Sequence, residues 1–199
     1  MARNSLANIR IQSSALLSVV AKMDIRRKKG HDMNICIDNR DENLFSIDRI
    51  DFIKFPEHNG MTPMITKTYW SDEYFGGSNN FATSYALRYL QEDVLPRMER
   101  AIGAENIVEF ETDLTALDGD DSYGVVKSRI SIPTFEFYHN NKAIFDKYPG
   151  YYWWTATPCN TFDNNVLAIY PYGDTYVKYC ERFNGIRPMI MLKSSVFNL

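Results

Sequence analysis

Three histidines (His31, His58, His139) and three cysteines (Cys36, Cys159, Cys180) are the residues best suited to hold a metal or act as nucleophiles. The histidines lie far apart, and none has a Cys or His partner at the short spacing a zinc site uses. No metal site is expected. An odd, sparse set of cysteines does not make a disulfide framework, although Cys159 and Cys180 share one region and one bridge between them stays open. Thiolate chemistry needs a base or cation that lowers the thiol pKa. Neither Cys159 nor Cys180 has an obvious neighbour of that kind, and Arg182, two residues beyond Cys180 on the same strand face, is weak support. Gly76-Gly77 lacks the Lys-Ser/Thr sequel of a phosphate loop, and no nucleophile elbow occurs. Asp118-Gly119-Asp120-Asp121 supplies carboxylates without the spacing or closing Glu of a calcium loop, and reads as a solvated acidic loop. Catalytic residues and cofactors are therefore expected to be absent.

The informative chemistry is recognition. Residues 151–184 hold ten of the 28 aromatics and only five charged side chains, interleaved with Asn, Asp and Thr. Tyr supplies large, rigid contact area with a polar tip, while short amides and hydroxyls supply adjustable hydrogen bonds. The candidate binding residues are Asn160, Phe162, Asp163, Asn164, Tyr172, Asp174, Tyr176, Arg182 and Asn184, expected to converge on one exposed patch. Trp153 and Trp154 are expected in the core.

These residues need a scaffold. The chain has 199 residues, 45% hydrophobic and 24% charged, with a net charge of −3. That is ordinary globular usage and leaves no global positive field to draw in nucleic acid. No run reaches the roughly 20 apolar residues of a membrane helix. A soluble protein is expected. Residues 5–23 carry loosely helical apolar spacing, and Arg26-Arg27-Lys28-Lys29-Gly30 suits a helix C-terminus. Alternating apolar runs over 34–55 predict short strands. Leu87, Leu90, Val94, Met98 and Ile102 form one helical stripe, opened by Thr83 or Ser84, closed by Gly103 and kinked or split at Pro96. Residues 111–124 read as an acidic loop, Arg129–Pro133 as a strand, and Phe135–Tyr138 as a helical turn. Gly173-Asp174 predicts a hairpin between Val166–Tyr172 and Thr175–Phe183. A last strand over Ile186–Leu192 completes an antiparallel meander. In Thr175–Arg182, alternation puts Val177 in the core and Tyr176 and Arg182 outward.

Four blocks in order carry a resemblance. They are the serine-capped helix with Leu87-Arg88-x-Leu90, then Arg129-Ile130-Ser131-Ile132-Pro133-Thr134-x-Glu136. Tyr152-Trp153-Trp154-Thr155-Ala156-Thr157-Pro158 follows, and Gly185-Ile186-Arg187-Pro188-Met189-Ile190 closes the set. Together, over about residues 34–192, they resemble a bacterial and phage family with a C-type-lectin-like fold, of the variety shared with formylglycine-generating enzymes. Within it the chain is similar to the variable proteins of diversity-generating retroelements. The resemblance implies an α+β fold of small twisted antiparallel sheets, two main helices and long irregular loops. It also implies a ligand-binding domain over 34–199 and a variable region near 155–184 rewritten by adenine-directed mutagenesis; residues 1–33 lie outside it and are expected to form a helical appendage. Val166-Leu167-Ala168-Ile169 is apolar scaffold, so the diversified set is discontinuous.

The implied function is display of a diversified surface to a protein or cell-surface ligand, with no nucleic-acid partner and no membrane insertion. The implied setting is a virion or cell surface. Calcium-ligating Glu-Pro-Asn or Gln-Pro-Asp triplets do not occur. Rival readings are an enzyme of the formylglycine-generating type, which uses a matched cysteine pair, and an undiversified virion or surface protein. Arg187, flanked by apolar residues, should be buried against a carboxylate or several backbone carbonyls, with Glu136 the favoured carboxylate.

Overall fold

The computed structural model describes residues 23–27, 34–38, 41–47 and 49–197. In chain order the strands and helices are β1 (Met23–Arg27), β2 (Asn34–Asp38), β3 (Leu44–Ile47), β4 (Ile50–Lys54), β5 (Met61–Thr66), β6 (Ser71–Tyr74), α1 (Tyr85–Tyr89), α2 (Leu95–Ile102), β7 (Ile107–Val108), β8 (Phe110–Asp113), β9 (Val125–Ser128), α3 (Phe135–Asn140), α4 (Lys142–Phe145), β10 (Trp153–Pro158), β11 (Asn165–Ile169), β12 (Thr175–Tyr179), β13 (Phe183–Ile186) and β14 (Met189–Lys193). One seven-stranded sheet runs β1-β2-β3-β4-β5-β14-β7, a five-stranded sheet runs β12-β11-β10-β13-β6, and β8 pairs with β9. The class is α+β, mostly sheet with few helices.

Strand alternation explains why the apolar runs are continuous rather than every second residue. Phe52, Met64, Trp154 and Ile190 point into one core cluster, together with the helical stripe Leu87, Leu90, Val94, Met98 and Ile102. Their chain neighbours Ile53, Ile65, Trp153 and Met189 point into a second, with Tyr138 and Phe145 of α3 and α4. Each central strand is thus buried on both faces, one apolar residue to each cluster.

The long helix forms with its register shifted before Pro96. Ser84 Oγ accepts from the Leu87 N–H at 3.0 Å, a true N-cap. A π turn over Leu90–Val94 separates α1 from α2, and Pro96 lies in the first turn of α2. Proline cannot donate to the preceding turn, and the wider turn takes up that missing bond.

Several expectations are corrected. Met23–Arg27, read as the end of a helix, is a strand paired with β2. Ile25 faces Cys36 there and Asp24 faces Ile37, so pairing fixes a segment whose own helical signal was only its basic run. The appendage reading over residues 1–22 lies outside the described residues. The acidic stretch begins as β8, not as a loop, because Phe110 and Thr112 alternate inward. The 129–133 segment makes a single bridge, Ser131 with Met189, rather than a strand. The closing strand is two: β13 pairs antiparallel with β6 and parallel with β10, and β14 crosses to the other sheet. Pro188 between them has no N–H for a ladder, and the meander ends at β12, which pairs with β11 and not with β13. That leaves β12 an edge strand with Val177 37% exposed rather than in the core, while Tyr176 is exposed as expected.

Candidate ligand-binding surface

The segment after β10 is a tied loop. Asn79 is buried, and its Nδ2 donates to the carbonyls of Cys159 (2.8 Å) and Phe162 (3.2 Å). The Asn79 N–H donates to Asp163 O, and Tyr123 donates its hydroxyl to Asn79 Oδ1. One buried amide therefore fixes the backbone while leaving the side chains of Asn160, Phe162, Asp163 and Asn164 exposed. Asn160 Nδ2 donates to Asp118 Oδ2 at 2.6 Å, which holds the Asp118 carboxyl below its usual range. That acidic loop is otherwise stitched by its own Asx turns, Asp118 to Asp120 and Asp120 to Ser122. Among the described residues no group of three His, Cys, Asp or Glu is placed to hold a metal.

Tyr172 and Asp174 sit at the turn between β11 and β12, where Gly173 takes φ +87°. Tyr172 is 91% exposed. The hairpin runs in register from Asn165–Tyr179 to Ile169–Thr175. At about 3.3 Å per residue, its two ends stand roughly 13 Å apart. The nine candidate residues are therefore spread along the hairpin rather than gathered at one end. Asn160–Asn164 and Arg182 lie toward one end, Tyr172 and Asp174 mark the other, and Tyr176 is between. Asn184 is corrected outright: it is 3% exposed, its Oδ1 accepting from Lys178 Nζ at 3.2 Å. Strand β13 is sandwiched between β10 and β6, and Asn184 to Ile186 are buried there, while Phe183 at its start stays exposed.

Across the turn end of this sheet runs a ladder of tyrosines. Ring centroids follow one another at 5.0 Å (Tyr69–Tyr151), 5.4 Å (Tyr151–Tyr152), 4.6 Å (Tyr152–Tyr170) and 5.3 Å (Tyr170–Tyr176). Tyr152 is 39% and Tyr176 51% exposed. Desolvation first, then the neighbouring Tyr176 and Tyr152, push the Tyr170 hydroxyl above its usual pKa, so it stays a neutral donor. Beside the ladder a groove of about 240 Å³ is lined by Tyr152, Ala168, Tyr170, Tyr176, Lys178 and Asn184. Lys178 donates to Phe183 O at 2.8 Å and lies 5.6 Å from the Trp154 ring. Burial lowers its pKa despite the opposing field of Asp72. Beyond Lys178, Phe183 meets Tyr74, which stacks on Tyr85 at 4.2 Å. The groove thus offers aromatic faces and one weakly solvated ammonium.

Tyr152, Tyr170 and Lys178 are not among the candidate residues although they lie in the same Tyr-rich window, whose aromatic density is their one signal. Tyr69 carries no local signal at all; only the fold brings it to Tyr151.

Cys159 and Cys180 are free, Cys180 buried and Cys159 partly so. Burial pushes the Cys180 thiol up to about 12. A thiol so raised is almost wholly protonated at neutral pH and a poor nucleophile. In native protein at pH 8, iodoacetamide mapped by mass spectrometry should modify Cys159 at least tenfold faster than Cys180. Equal rates would contradict the burial of Cys180.

Compared with protein-family models, with curated proteins and with solved structures, the chain matches none. Among the described residues no helix is long and apolar enough to cross a membrane.

Proposed function

We propose that this chain is a binding protein of C-type-lectin-like fold, a variable protein of a diversity-generating retroelement, which presents residues 155–184 and the adjoining tyrosine ladder to a protein or cell-surface ligand. The supporting observation is the segregation of roles. Trp153, Trp154, Ile169, Ile186 and Arg187 are buried, while Phe162, Tyr172, Tyr176, Tyr179 and Phe183 from the same stretch are each more than half exposed. Exposed aromatics at this density are costly to solubility and serve as anchors in recognition surfaces. A scaffold anchored at Asn79 and Trp154 tolerates change in the side chains it displays. The raised Cys180 pKa speaks for a binder rather than an enzyme working through a thiolate.

The test is a displayed library randomised at Asn160, Phe162, Asp163, Asn164, Tyr172, Asp174, Tyr176 and Arg182. Exposed substitutions cost under about 0.5 kcal/mol each. Most members should therefore resist proteolysis like the parent, and selection on an immobilised protein such as lysozyme should yield specific binders. A library that mostly fails to fold, or that folds and yields none, sinks the reading. Randomising buried Asn184 in addition should sharply raise the unfolded fraction. The retroelement origin requires a neighbouring reverse-transcriptase gene and an imperfect repeat of the 3′ coding end; their absence removes that part of the proposal.

A further inference from the structure

A second cavity adjoins the groove, sharing Ile169 and Tyr170 with it, where the turn after α4 meets the β11–β12 hairpin. Its volume is about 290 Å³. Arg187 lies in its wall at 1% exposure. The guanidinium is only partly used. Nε donates to Thr66 O at 3.1 Å, and Nη2 donates to Thr66 O at 2.9 Å and to Lys67 O at 3.0 Å. Among the described residues, Nη1 has no hydrogen-bond partner and Arg187 no ion pair. Nη1 stands beside Gly150, another residue of the cavity wall. A Cβ there would stand 3.4 Å from Nη1. A buried cation with a free donor and no counter-charge is costly by itself.

The rest of the wall narrows the complement. Trp153, Phe145 and Tyr148 are aromatic. Lys142 adds a second cation, but its Nζ is held by Asp146 at 2.6 Å, so the lining carries one net positive charge. The volume falls at the small end of ligand sites.

We propose that this cavity binds a carboxylate, carried on an aromatic or apolar body about the size of benzoate, with one carboxylate oxygen accepting from Arg187 Nη1. A single negative charge balances the lining, whereas a phosphate dianion would exceed it. The planar body lies against the aromatic wall, where ring contacts add to burial. The site does not rest on the display reading and stands or falls apart from it.

The probe is benzoate, with benzamide as its neutral isostere and inorganic phosphate as the rival anion. Of the indole N–H signals of Trp70, Trp153 and Trp154 in a ¹H–¹⁵N spectrum, that of Trp153 should move saturably with benzoate. Benzamide should bind at least tenfold more weakly, and phosphate should fail to displace benzoate at equal concentration. Gly150→Leu fills the space before Nη1 from the half-buried segment after α4 and should abolish the shift while the remaining spectrum stays folded. Asp146→Asn raises the net positive charge of the wall and should tighten benzoate severalfold. Equal binding of benzamide, displacement by phosphate, or unchanged benzoate binding in folded Gly150→Leu overturns the proposal.

Discussion

Replacing Arg187 with Ala should lower stability by about 3 kcal/mol or more, the cost of removing a buried charged group from partners that stay behind. The Thr66 and Lys67 carbonyls lose the donors that now satisfy them, at 2.9 to 3.1 Å. Hydrogen bonds from a charged donor contribute about 1.5–3 kcal/mol each before the desolvation of the cation is set against them. That desolvation is real: burial alone draws the Arg187 pKa down to about 10. The side chain also packs. Its guanidinium carbon lies 5.4 Å from the Trp153 ring and 5.5 Å from the Phe145 ring, so truncation opens a void between them. For a domain of this size, about 3 kcal/mol corresponds to a fall in Tm of roughly 6–12 °C. Arg187→Met separates the two causes. It fills the void but donates nothing, and should recover part of the loss but not all. Urea unfolding with Arg187→Ala within about 1 kcal/mol of wild type would contradict the structure.

Glu136, the expected carboxylate partner, is instead exposed near the start of α3. The sequence showed that an arginine between apolar residues must be satisfied. It did not show by what, because the carbonyls that satisfy it belong to the end of β5, some 120 residues earlier. The same limit recurs elsewhere. The helical stripe, the Ser84 cap, the Gly173 turn and the burial of Trp153 and Trp154 were legible because each is decided within a few residues. The placement of β13 between β10 and β6 was not, since a four-residue strand of mixed polarity carries no sign of its neighbours. Val177 and Asn184 were misplaced for that one reason: alternation tells which residues share a face, and only sheet order tells which strand is an edge. The tyrosine ladder combines both cases. Its members at 151, 152, 170 and 176 stood in a visible aromatic window, but their contacts depend on β10 and β11 ending side by side.

Gly185→Ala is expected to be nearly as damaging, although a single methyl group is added. On backbone grounds alone the change should help, since Gly costs a strand roughly 0.5–1 kcal/mol relative to Ala. Space reverses the sign. Gly185 pairs with Trp153 on one side and Asp72 on the other, and its N–H donates to Tyr152 O at 3.0 Å. A Cβ there would overlap the Tyr152 carbonyl oxygen and come 3.0 Å from Tyr69 Cβ. The first of these is backbone and cannot rotate away, so the start of β10 must separate from β13. Overpacking of this kind costs about 1–3 kcal/mol, and a backbone obstacle places it at the upper end. The displacement has a second consequence. Tyr152 and Tyr69 are rungs of the ladder, and Trp153 is the ring against which Arg187 rests. Gly185→Ala should therefore lower the urea midpoint and also shift the Trp153 indole signal in the folded fraction. Because Gly185 and Arg187 both act through Trp153, the double variant with Arg187→Ala should lose less than the sum of the two single losses, by about 0.5 kcal/mol or more. Strict additivity would mean that the close approach at Gly185 and the seat of Arg187 are independent, and a Gly185→Ala protein as stable as wild type would mean that β10 and β13 are not packed this closely.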